Sequence, residues 1–96
     1  MDYSRLNTIF KRLEEDAEVG FSTERREFYA YSTVLFGNVS VTAHYYDGGA
    51  EIIECFNTRT GKDLPNLFKW LDENIPWGWL NDCDIRNDIL EDIYNT

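Results

Sequence analysis

The sequence predicts an α+β domain with an N-terminal helix, a three-stranded antiparallel β-meander and two C-terminal helices, in the order α-βββ-αα. Three observations carry that expectation. Apolar residues recur at helical spacing before Gly20. The middle of the chain alternates with period two and is cut by Gly37-Asn38 and by Asp47-Gly48-Gly49. Beyond Lys62, helical spacing returns twice. With 96 residues, 43% hydrophobic and 16% aromatic, the chain can build one core, so 1–96 reads as a single small acidic domain.

The first helix is expected over Asp2–Glu18. Leu6, Ile9, Phe10, Leu13 and Ala17 form its apolar stripe, Asp2 or Ser4 can cap its start, and Gly20 can close its end. Glu14, Glu15, Asp16 and Glu18 crowd the last turn, where the helix dipole disfavours negative charge. Such acids are either a solvated helix end or a surface kept for a partner. Phe21–Arg26 reads as a link into the sheet.

The first predicted strand, Phe28–Phe36, mixes aromatic, small and β-branched residues. The second, Val39–Tyr46, alternates strictly. Val39, Val41, Ala43 and Tyr45 share one face, and Ser40, Thr42, His44 and Tyr46 share the other. Ala50–Phe56 is the third. Short turns make the strands antiparallel neighbours. Tyr29, Tyr31 and Leu35 have the opposite parity to Phe28, Ala30 and Phe36, so some aromatics fall on a second sheet face. Covered, that face is ordinary core; uncovered, it is a contact patch.

Asn57–Lys62 is a polar turn. Asp63 is expected to cap a second helix with Pro65 in its first turn and Leu64, Leu67, Phe68 and Leu71 as its buried stripe. Asn74-Ile75-Pro76 ends it. Trp77 and Trp79 flank Gly78 in the next linker. Their area favours a wedge between helices and sheet, and their chemistry also suits a binding hot spot. A last helix is expected from about Asp82 to Tyr94. Asn81 or Asp82 is its N-cap; it turns Ile85, Ile89, Leu90 and Ile93 inward and sets Asp84, Asp88 and Asp92, with Glu91 adjacent, on another face. Carboxylates four apart repel one another.

Charge is the informative property. Eighteen acids against nine bases leave a net charge of −9 and a pI near 4.4. Phosphate contacts need Lys or Arg, so direct binding of nucleic acid or an anionic membrane is disfavoured. The excess lies at the two ends. Residues 1–24 carry six acids and three bases, residues 25–62 four of each, and residues 63–96 eight acids and two bases. No signal-peptide core precedes the first helix, and Cys55 and Cys83 suit core positions in a reducing compartment, so a cytoplasmic location is expected.

No catalytic motif stands out, and no cofactor or metal is expected. His44 is the only histidine, and no flagged nucleophile accompanies it. Asp82-x-Asp84-x-Arg86 starts like a calcium loop but fails at Arg86 and at Asn87, where glycine is required. The chain is expected not to be an enzyme.

In its element order, size and acidity the chain resembles phage-encoded anti-CRISPR and antirestriction proteins that mimic DNA. That resemblance implies a small inhibitor that blocks the basic nucleic-acid-binding surface of a host defence protein, such as a CRISPR effector or a nuclease. The residues expected at such a contact are Asp82, Asp84, Asp88, Glu91 and Asp92, the cluster Glu14, Glu15, Asp16 and Glu18, and Trp77 with Trp79. A toxin-immunity protein would use the same acids and aromatics. The remaining alternative is a small protein whose acidity serves only solubility.

Overall fold

A four-stranded sheet organises the protein, one strand more than the sequence predicts. The computed structural model describes residues 7–81. Their order is α1 (Asn7–Glu15), β1 (Glu18–Ser22), β2 (Glu27–Phe36), β3 (Val39–Tyr46), β4 (Gly49–Asn57) and α2 (Pro65–Asn74), then a 3-10 turn over Gly78–Asn81. The sheet runs β1-β2-β3-β4 with every neighbour antiparallel. The α+β class and the N-terminal helix stand, but the expected α-βββ-αα order does not, and the resemblance keeps only size and acidity. The expected last helix lies outside the described residues.

The correction falls at the end of α1. The helix stops at Glu15, not Glu18, and Gly20 is a strand residue rather than a helix cap. Glu18, Gly20 and Ser22 alternate with Val19 and Phe21, and that short alternation pairs with Tyr31 to Glu27 of β2. The strand is only five residues long, so its sequence signal is weak. Cross-strand pairing with β2 supplies what the local sequence lacks.

One sheet face carries the core. Phe28, Ala30 and Val34 of β2, Val41, Ala43 and Tyr45 of β3, and Ile52 and Cys55 of β4 are buried there. Ile9, Phe10 and Leu13 of α1 and Leu71 of α2 close over them. Both helices lie on this face, since Phe10 stacks on Trp70 at 5.7 Å. The two-face grouping expected for Phe28–Phe36 and Val39–Tyr46 is observed, and the faces carrying Phe28 and Val41 are the covered ones. Leu64, Leu67 and Phe68 are packed against the core but only partly buried.

The free edge of β4 is covered by the segment that follows it. Leu64 donates its backbone N–H to the Cys55 carbonyl at 3.0 Å, and Asp63 bridges to Phe56. Asp63 is thus a strand-edge residue; the N-cap of α2 is Leu64, without a side-chain hydrogen bond, and Pro65 opens the helix as expected. Opposite Thr42 and Ala43 the register slips by one, because Thr42 pairs with Glu54 and Ala43 with Ile52. Ile53 is the extra residue of this bulge. Asp72 of α2 accepts the Ile52 N–H there at 2.9 Å.

Candidate protein-contact face

The other face of the sheet has no described element over it. Alternation brings Tyr29, Tyr31, Thr33 and Leu35 from β2 to this side, and Ser40, Thr42, His44 and Tyr46 from β3. Register sets them opposite one another, with Tyr29 facing Tyr46, Tyr31 facing His44 and Thr33 facing Thr42. The hydroxyls of Thr33 and Thr42 hydrogen-bond at 3.0 Å. Tyr31 is 49% exposed and Leu35 56%, high values for large apolar side chains on a sheet.

The aromatic rings form a continuous row. Tyr31 stacks on the His44 imidazole at 4.5 Å with 12° between the planes. Tyr29 meets Tyr31 edge-on at 5.9 Å, and His44 meets Tyr46 at 5.5 Å. Two glycines permit this arrangement. A Cβ on Gly20 would stand 2.6 Å from Cζ of Tyr29, and one on Gly49 would stand 2.9 Å from Oη of Tyr46. Each tyrosine therefore leans over a glycine of the neighbouring strand. Together with Ser22, Arg25, Glu27 and Phe28, the row walls a groove of about 370 Å³.

Acids ring this row. Glu18, Glu51 and Glu54 come from β1 and β4, and Glu27 from the start of β2; all are exposed. Glu51 Oε1 lies 3.2 Å from Nδ1 of His44. A carboxylate fixing one imidazole nitrogen is also how a general base is oriented. Here the ring is held between tyrosines, and the threonine hydroxyls beside it are bonded to each other.

The predicted site residues divide into three groups. Glu18, paired with Tyr31, lies on this face, and Asp16 joins it at the sheet edge, where both line a recess of about 310 Å³ with Tyr31, Ser32 and Thr33. Glu15 is exposed nearby in sequence, whereas Glu14 is half-buried. Burial raises the Glu14 carboxyl above its ordinary value, and the Glu15 charge adds to that. The tryptophans separate. Trp77 is exposed, while Trp79 meets the fully buried Tyr45 edge-on at 4.9 Å on the core side, as a wedge would. Asp82, Asp84, Asp88, Glu91 and Asp92 lie outside the described residues.

Three buried polar atoms, Ser32 Oγ, Tyr45 Oη and Trp79 Nε1, have no hydrogen-bond partner among the described residues. Burial drives the Tyr45 phenol well above its ordinary value, with the Glu14 carboxylate adding to it. The Trp79 indole acts in the opposite direction, at a geometry too poor for a hydrogen bond. A second recess of about 280 Å³ lies between β4 and α2, lined by Ile53, Cys55, Leu64 and Phe68 among others. Burial, with the Asp63 carboxylate second, pushes the Cys55 thiol up to about 11, which leaves it little thiolate at neutral pH.

Sequence reasoning found Tyr29, Tyr31 and Leu35 by parity but did not join His44, Tyr46, Glu27, Glu51 and Glu54 to them. The strict alternation of Val39–Tyr46 was the available signal for His44 and Tyr46. No protein-family model matches the chain, nor does any curated protein or solved structure.

Proposed function

We propose that the protein is a small acidic inhibitor that binds the basic surface of another protein and blocks nucleic acid from it. The partner class is a nucleic-acid-binding enzyme such as a CRISPR effector or a nuclease. One observation supports the reading best: Asp16 and Glu18 share a recess with Tyr31, Ser32 and Thr33 at the edge of the sheet face that no described element covers. Acids expected at a contact thereby adjoin an exposed aromatic row whose other margins carry Glu27, Glu51 and Glu54. An aromatic centre within a charged margin is the common anatomy of a protein interface. The net charge of −9 suits fast, salt-sensitive association with a cationic surface.

The test is capture of partners from host lysate at low and at high salt, followed by competition with DNA or RNA. Capture of a basic protein at low salt, its release at high salt and its loss of nucleic-acid binding are expected. Absence of any captured protein at either salt would refute the reading. Capture of a nuclease toxin encoded beside this chain would identify an immunity protein instead.

A further inference from the structure

The sheet face that no described element covers combines stacked aromatic rings, an acidic margin and a groove, and one kind of chemical group satisfies all three. We propose that this face takes arginine side chains of the partner. The inference rests on the binding function above and specifies the group recognised and the place that recognises it. A guanidinium is planar, weakly hydrated and cationic. It stacks on aromatic rings, and its N–H fork fits a carboxylate. Tyr31 and His44 already stand nearly parallel, 12° apart, a row that a planar cation extends. Glu27 lines the groove, and Glu51 stands beside His44, so carboxylates lie close to the rings.

The groove also has a guanidinium of its own. Arg25, on the β1–β2 turn, is the sole Lys or Arg among its lining residues and shares that lining with Tyr29 and Glu27. It forms no ion pair among the described residues. Arg25 therefore competes with an incoming arginine for the same wall. Charge opposes two other occupants. A phosphate chain would be repelled by Glu18, Glu27, Glu51 and Glu54. A second copy, docked face to face, would set those same acids against their symmetry mates.

The experiment is an NMR titration of the whole chain with two probes, the peptides Gly-Arg-Gly-Arg-Gly and Gly-Lys-Gly-Lys-Gly. Shifts centred on Tyr29, Tyr31, His44 and Tyr46 are expected, with the arginine peptide binding at least about threefold tighter. Tyr31→Leu should weaken the arginine peptide about three- to tenfold, and Tyr31→Phe should restore it. Circular dichroism on each variant confirms the fold. Arg25→Ala should tighten binding more than Arg59→Ala, which removes the same charge away from the groove. Equal affinity for the two peptides, shifts confined to Glu14–Asp16, or an unaffected Tyr31→Leu would each overturn the proposal. Those results leave the inhibitor reading standing if partner capture persists. Failure of partner capture alongside a positive titration would sink the inhibitor reading alone.

Discussion

At the scale of single residues, the outer face depends on what is missing from Gly20. Its hydrogen leaves room for the Tyr29 ring, which a methyl group would meet at 2.6 Å. The obstructing atoms are the far end of a partly exposed side chain, so Gly20→Ala should swing Tyr29 aside rather than break the strand. The expected stability change is within about 1 kcal/mol, with a clear change in the Tyr29 ring resonances by NMR. Unmoved resonances would refute the contact. Glu14 gives a pH-dependent test. Its folded carboxyl is raised, so ionisation costs the native state more than the unfolded chain. That cost is absent below the unfolded value of about 4.3 and develops as pH rises through the folded one. Glu14→Gln should therefore raise the melting temperature at neutral pH, and the gain should vanish in acid.

At the scale of elements, two contacts place the helices. Ile9, Phe10 and Leu13 dock α1, and Leu13 is fully buried. Leu13→Ala should cost about 2–5 kcal/mol in chemical denaturation, the usual range for such a cavity. The other contact is the Asp72 carboxylate on the Ile52 N–H, which ties α2 to the β4 bulge. Asp72 is exposed, so water can replace it in part. Asp72→Ala should cost only about 1 kcal/mol, and Asp72→Asn less. A larger loss would mean that Asp72 does more than hold the bulge. The same bulge explains why Ile53 and Glu54 are both exposed although they are adjacent in the strand. Period-two reasoning alone would turn one of them inward.

At the scale of the whole molecule, the sheet divides the buried core from a face of exposed aromatics and acids. The helices take one face, and the other keeps its aromatics and its acids together. Margin charges and central rings should then act on different rate constants for a captured partner. Replacing Glu27 and Glu51 with Gln should slow association and flatten its salt dependence, whereas Tyr31→Leu should mainly speed dissociation. Surface plasmon resonance at two ionic strengths separates these effects. Identical changes in both rates for both variants would contradict the division between rim and centre.

The sequence by itself determined the α+β class, strands β2 to β4, the two-face grouping of β2 and β3, and the helices carrying Ile9 to Leu13 and Leu71. These follow from side-chain period, and period is a local property of the backbone. Local sequence could not decide β1. Glu18–Ser22 is short and holds a glycine, and it becomes a strand only because β2 offers partners from Tyr31 to Glu27. Nor could it show that Asp63 edges the sheet instead of capping α2, or that Ile53 bulges out. Parity had already set Tyr29 and Tyr31 on the face opposite Phe28 and Ala30, without deciding whether that face is covered. Only the tertiary structure set His44 and Tyr46 against them and placed both helices on the opposite side. Which residues meet across strands depends on register, and which face is covered depends on where distant helices pack; neither is written within any one stretch of the chain.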